Sequence, residues 1–209
     1  DLSCDLKGDV ATTISKSSLN IFTNRELLDK VPLKGGKDVH ISGDAEQILV
    51  LTSNALLCYD SWGQLKWKCI EINAGSQFCA TSDGNRIAIS KSNSLKLLSH
   101  FGEAVGDSTF EGKILKFTFT PSKALVVSTT SGLFLIENSG EIVELNSNFV
   151  ASEISCSSDY IIANSENTMI AFSYTGTELW RKEETAVSNV SFSNDGVKHV
   201  FLMDSKILV

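Results

Sequence analysis

The chain has 209 residues, 42% of them hydrophobic and 21% charged. That composition argues against disorder, and the length suits one large all-β domain or two small ones. A formal net charge of −7 argues against a nucleic-acid-binding face, because neutralising phosphates needs Lys and Arg in excess.

The chain opens in the first strand of a unit: "SCDLKGDVATTIS" (3–15) reads as the first half of the pattern, strand, turn and strand, with the apolar run "VATTIS" from Val10 as the second. "NRELLDKVP" (24–32) could pass for a turn of helix, but it falls where a fourth strand belongs and is read as strand. "ILVLTS" starts at Ile48, and "YDSWGQLKWK" (59–68) runs apolar, turns at Gly63 and resumes with Trp67. The third unit shows the pattern in full: strand 77–81, a tight turn at Ser82, Asp83, Gly84 and Asn85, and strand 86–90. A polar loop (91–94), strand 95–99, a turn at Gly102 and strand 103–107 follow. "ALVVST" from Ala124 and "ENSGEIV" (137–143) repeat this order, as do "IIANSE" from Ile161 and "SYTGTELW" (173–180). "HVFLMD" from His199 and the closing "SKILV" belong to a last unit. Short β-branched and apolar runs punctuated by Ser, Asn, Asp and Gly read as antiparallel strands. No stretch sustains helical periodicity, and no apolar run approaches the roughly 18 residues of a membrane-spanning helix.

The repeat is numerical. Gly63, Gly102, Gly140 and Gly176 are 39, 38 and 36 residues apart, and the runs from Ile48, Arg86, Ala124 and Ile161 start 38, 38 and 37 apart. Such a period signals a repeat architecture, and four-stranded meanders of about that length build β-propeller blades. The expectation is an all-β propeller of four-stranded antiparallel blades, a single domain over 1–209. Its units lie at approximately 1–36, 37–74, 75–112, 113–149, 150–186 and an incomplete 187–209. That makes about six blades, the last without its outer strand; were the chain a fragment, seven would fit equally. The recurring glycine supplies a positive φ between third and fourth strands. Trp67 and Trp180 are anchors for packing one blade on the next, and Leu97, Val126 and Leu135 are expected in the core.

"SDGNRIAIS", "SLKLLSHFGEAV" and "SYTGTELWRKEE" resemble the repeats of WD-repeat propellers and of quinoprotein-like (PQQ-like) propellers. "GQLKWK" and "GTELWRK" are particularly similar to the latter, in which a Gly and a Trp recur at the blade's outer strand. The resemblance covers essentially the whole chain. The Gly-His and Trp-Asp dipeptides of WD repeats are absent, so that family's buried Asp–His–Ser network maps onto no residue here. Quinoprotein dehydrogenases hold their cofactor with acidic and amide residues around calcium, and many carry adjacent cysteines. No two of Cys4, Cys58, Cys69, Cys79 and Cys156 are adjacent.

Their number is odd and none are spaced C-x-x-C, and none of the histidines stands near a cysteine at ligand spacing, which argues against structural zinc. Most of these cysteines sit in apolar strands as small hydrophobes. A reduced, cytoplasmic setting is the simpler reading; a disulfide from Cys58 to Cys69 or Cys79 is the less favoured one. No charged start precedes an apolar leader, although a chain opening at Asp1 leaves a removed leader open. Asp44, Asp83, Asp159 and Asp195 fall in turns, where Asp is expected for backbone reasons. The Ser-rich loops lack a G-x-S-x-G elbow. His40 and His199 lie in or beside strands and read as structural, and His100 sits at a turn. Gly35-Gly36 lacks the Lys-Ser/Thr and helix of a phosphate loop. Asn189 opens a formal N-x-S site inside a predicted strand, and the lysines Lys34, Lys37, Lys66 and Lys68 read as solvated surface. No catalytic constellation emerges, and no cofactor or metal is expected.

What remains is surface. The loops between second and third strands ("SKSS", "TSNA", "SKSNS", "TTSG", "SENT") read as ordinary solvated loops. Trp62 and Phe101 stand immediately before the turn glycines of neighbouring units, where the next two units have Ser139 and Thr175. Large apolar residues at adjacent hairpin tips suit a partner site; the competing reading folds them back onto their own blades. The leading function is therefore a non-catalytic scaffold that binds other proteins, with Trp62 and Phe101 as partner-binding residues. The alternative is a quinoprotein-like or other ligand-binding or enzymatic propeller using its central channel for a small molecule.

Overall fold

Each short apolar run becomes one strand of an antiparallel meander. The computed structural model describes residues 2–5, 7–70, 72–73, 75–183, 187–192, 199–203 and 206–208, with side chains described through Glu183. The chain divides into two compact units, Asp1–Ser108 and Thr109–Val209.

In the first unit β1 (Leu2–Cys4), β2 (Val10–Ile14), β3 (Ser18–Thr23) and β4 (Glu26–Pro32) form one sheet. A second holds β5 (Gly36–Ile41), β6 (Ile48–Thr52), β7 (Leu56–Tyr59) and β8 (Leu65–Cys69). The third holds β9 (Phe78–Ala80), β10 (Arg86–Lys91), β11 (Ser94–Ser99) and β12 (Ala104–Thr109), the last ending at the unit boundary. The second unit contains β13 (Ile114–Phe119), β14 (Leu125–Thr129), β15 (Gly132–Ile136) and β16 (Ile142–Asn146). Next come β17 (Glu153–Cys156), β18 (Ile161–Asn164), β19 (Thr168–Phe172) and β20 (Glu178–Glu183), and then β21 (Val187–Phe192), β22 (His199–Met203) and β23 (Lys206–Leu208). Within each sheet the strands pair in sequence order, the arrangement that short hairpins impose. No helix occurs among the described residues.

Among the described residues the four-stranded sheets number five, where about six blades were expected. After Glu183 the sequence supplies three apolar runs, and β21, β22 and β23 form a three-stranded sheet from them. "NRELLDKVP" is strand, as β4. The turn that precedes it has no glycine: Asn24 and Arg25 take φ of 52° and 70° between the paired Thr23 and Glu26. Two consecutive positive φ values are what a two-residue turn matched to strand twist requires. The loop expected at 91–94 is tighter than it reads, because Lys91 already pairs with Ser94 across Ser92, at φ 60°.

The apolar run "ILVLT" is continuous because β6 is buried on both faces. Successive strand residues point to opposite sides. Ile48 and Val50 accordingly pack with Leu19, Ile21, Val39 and Ile41 toward the first sheet. Leu49 and Leu51 pack with Phe78, Ile87, Ile89 and Leu98 toward the third. In the second unit Val126, Leu133 and Leu135 meet Ile154, Ile161, Ile170 and Phe172, so β13–β16 stack on β17–β20. Val126 and Leu135 are core as expected. Leu97 is not: it is half-buried, while Leu95 and Leu98 on either side of it are buried.

Leu135→Ala should lower stability by about 2–5 kcal/mol, the range for emptying a packed site. Leu97→Ala should cost clearly less. Urea midpoints of the two variants check this, and equal losses would mean that Leu97 is packed as tightly as Leu135.

Candidate functional site

A turn can present a large side chain only if its own backbone is held, and the chain does this with short polar residues. At the tip between β7 and β8, the Asp60 carboxylate accepts from the backbone N–H of Trp62 at 2.9 Å and of Gln64 at 2.8 Å. The Asp60 carbonyl accepts from the Gly63 N–H at 3.1 Å. Between β11 and β12, Ser99 Oγ accepts from the Phe101 N–H at 3.3 Å, and the Ser99 carbonyl from the Gly102 N–H at 2.9 Å. Gly63 and Gly102 follow at φ of 79° and 78°. A tight turn closed by a residue in the left-handed region is a standard hairpin solution, and glycine adopts it without a steric cost.

These glycines do a second job that their φ alone does not reveal. A Cβ on Gly63 would lie 2.5 Å from Asp29 Oδ2 and 2.9 Å from Val31 Cγ2, both on β4. One on Gly102 would lie 2.7 Å from the Trp67 ring on β8. Each turn is thus seated on the outer strand of the preceding sheet. Trp67 adds a directional tie, its Nε1–H donating to the His100 carbonyl at 2.8 Å. It packs against the cluster shared by the second and third sheets, the anchor role expected of it. Trp180 packs on Ile162, Met169 and Ala171 of its own sheet.

Trp62 and Phe101 stand out from these turns, 67% and 65% exposed. They occupy neighbouring sheets, and the turn carrying Phe101 rests on β8, the strand that leaves the turn carrying Trp62. The His100 and Phe101 rings lie 3.7 Å apart between centroids. Ser139 and Thr175, the matching residues of the second unit, are exposed and small. The sequence pattern missed a companion feature: Leu27, Leu65 and Val105, near the starts of β4, β8 and β12, are exposed as well. Their signal was the apolar residue recurring two or three places after each turn.

The loop hydroxyls are occupied by their own turns. Ser42 Oγ accepts from the Gln47 N–H and donates to Asp44; Thr81 Oγ1 does the same with Arg86 and Asp83. The Ser42 hydrogen bond holds the Asp44 carboxyl below its usual range. Asp195 and the side chain of Asn189 lie outside the described residues. All five cysteines carry free thiols, and burial pushes Cys58 and Cys156 up to about 12, away from nucleophilic use. Among the described residues no three His, Cys, Asp or Glu side chains are grouped to hold a metal ion. His40, in β5, has a buried Nε2 without a partner. Burial lowers its pKa, and a hydrogen bond with the Thr81 backbone opposes that only in part.

No family model matches the sequence, and no curated protein is significantly similar to it. Solved structures are similar in fold. Hsv2 of Kluyveromyces lactis superposes with a TM-score of 0.75 at 12% identity, over 98% of this chain and 70% of that one. Hsv2 of Kluyveromyces marxianus gives 0.71 at 13%, over 98% and 72%. BBS1N, in its complex with ARL6, gives 0.71 at 12%, over 95% and 73%. These are β-propeller proteins, and the likeness is one of fold.

Gly102→Ala and Gly140→Ala separate the two jobs of the turn glycine. Both place a Cβ at positive φ, costing about 1–2 kcal/mol. Only at Gly102 does that atom meet Trp67; at Gly140 nothing lies within 4 Å. Denaturant unfolding should show the larger loss for Gly102→Ala, with a red shift of tryptophan emission. Equal losses would remove the seating argument.

A second outcome concerns pH. Because the folded chain holds His40 neutral below the ordinary 6.5, the unfolded chain binds the extra proton as pH falls through that value. The His40 contribution is therefore complete above about pH 6.5, declines as pH drops toward the lower folded value, and levels off beneath it. Thermal melts across that window should show a smaller pH dependence for His40→Gln than for the parent; an unchanged dependence would contradict the assignment.

Proposed function

We propose that the chain is a non-catalytic protein-interaction scaffold: one domain, a propeller of about six blades with repeats of WD or quinoprotein-like type, which offers its hairpin tips to another protein. The observation that carries this reading is the pair of exposed rings, Trp62 and Phe101, on turns whose backbones are hydrogen-bonded and seated on neighbouring strands. Rings carried on backbones already held lose less entropy on binding than rings on free loops, and Trp is prominent among residues that dominate interface energies. A protein of the same fold, BBS1N, is known in complex with a protein, ARL6, which supports assigning this fold a protein partner here. On this reading the chain serves as a subunit or domain of a larger assembly and uses no cofactor. Free thiols at all five cysteines accord with a cytoplasmic setting.

Replacing Trp62 and Phe101 together by Ser removes apolar surface without opening a cavity. Thermal stability should change by no more than about 0.5 kcal/mol per position. Partners recovered from native extract and identified by mass spectrometry should bind the double variant more weakly by about 2 kcal/mol or more. A large loss of stability would make the rings packing elements. Unchanged partner binding would make the tips idle.

A further inference from the structure

The tips lie at one end of β8 and β11; at the other end the two sheets part. Cys69 at the end of β8 and Ile89, Lys91, Leu95, Lys96 and Asp107 of the third sheet line a cavity of about 340 Å³ there. Its floor is formed by Ile89 and Leu95, both almost wholly buried, with the half-buried Cys69 beside them. The mouth carries charge of the opposite sign to the chain as a whole. Lys91 is exposed on the tight turn at Ser92, and Lys96 follows on β11. Asp107 faces the same space as an acceptor.

We propose that this cavity docks an acidic, aliphatic segment of a partner protein. A leucine-like side chain covers Ile89, Leu95 and Cys69. Carboxylates on either side of it face Lys91 and Lys96, and a backbone N–H of the segment donates to Asp107. The volume lies at the small end of ligand pockets, about 300–1,000 Å³, and suits one such side chain with its backbone. A bare polyanion would leave that floor uncovered and would meet Asp107. On a chain of net charge −7, a local cationic rim selects an acidic sequence by charge complementarity. The inference rests on the interaction reading above but uses none of its residues.

The probe is a fluorescein-labelled peptide in which two leucines alternate with glutamates, titrated with the whole chain by anisotropy beside a counterpart with glutamine for glutamate. The parent should bind the glutamate peptide about tenfold more tightly than the counterpart, and less tightly as salt is raised. Lys91→Glu should lose about tenfold and Lys91→Gln less, with unchanged melting temperatures. The Trp62→Ser, Phe101→Ser double variant should bind the peptide like the parent. Equal affinity for both peptides, no binding, or full binding by Lys91→Glu would overturn the proposal, as would loss of binding in the double variant. If the peptide fails while capture of partners still depends on the tips, the cavity alone is wrong. If the peptide binds as described while the tips prove idle, the cavity stands and the tip reading falls.

Discussion

Burial of the second strand on both of its faces is the constraint from which the rest of the structure follows. β6, β14 and β18 are buried at every residue. A lone four-stranded meander could not satisfy them, since each has an apolar side facing out of either surface of its sheet. Stacking satisfies both sides at once, as the division of β6 between two clusters shows: Ile48 and Val50 to one side, Leu49 and Leu51 to the other. The same demand makes burial fall across a sheet. From β6 to β8 the pattern goes from wholly buried to largely exposed, so the outer strand of this sheet meets water along most of its length.

Stacking in turn dictates the turns. Sheets packed face to face bring the hairpins at Gly63 and Gly102 against the strand beside them, and the approach at Gly102 leaves no room for a Cβ over Trp67. Where sheets meet this closely, every backbone group at a turn needs a partner that takes no space. Hydroxyls and short carboxylates answer that need: Ser15, Thr52 and Thr129 between second and third strands, Ser42, Thr81 and Thr120 between first and second, Asp60 and Ser99 at the tips. The Ser-rich composition of the loops is therefore structural, with most of these oxygens spent on the chain's own N–H groups.

The repeat was legible because it is written in residues whose roles are local. A positive φ calls for glycine, so Gly63, Gly102, Gly140 and Gly176 announce their hairpins without reference to anything distant. Where the same geometry is met by Asn24 and Arg25, the signal disappears. Leu97 was misjudged for a related reason: an apolar residue in an inner strand reads as core, yet which of Leu95, Leu97 and Leu98 is covered depends on the neighbouring sheet and not on the run itself. Exposure of Trp62 and Phe101 was readable from their place at the tips. The cavity was not, because Cys69, Lys91, Lys96 and Asp107 come from strands that are separate in sequence and carry no shared motif.

The outer strands explain why recognition would fall to tips and cavity and not to strand addition. An open edge invites another strand, and proteins blunt it with charge or proline. β4 ends in Lys30 and Pro32, β8 alternates Lys66 and Lys68 with apolar residues, and β20 carries Arg181 and Lys182, all exposed. Arg181 is held by Glu178 on the same strand at 2.9 Å, which keeps the charge at the edge. A partner approaching these edges would have to desolvate cations before gaining any backbone hydrogen bond. At the tips it would instead meet Trp62 and Phe101 on turns already hydrogen-bonded, and at the proposed cavity an acidic segment would meet the cationic rim. Protecting the edge and presenting the ends are thus one arrangement of charge.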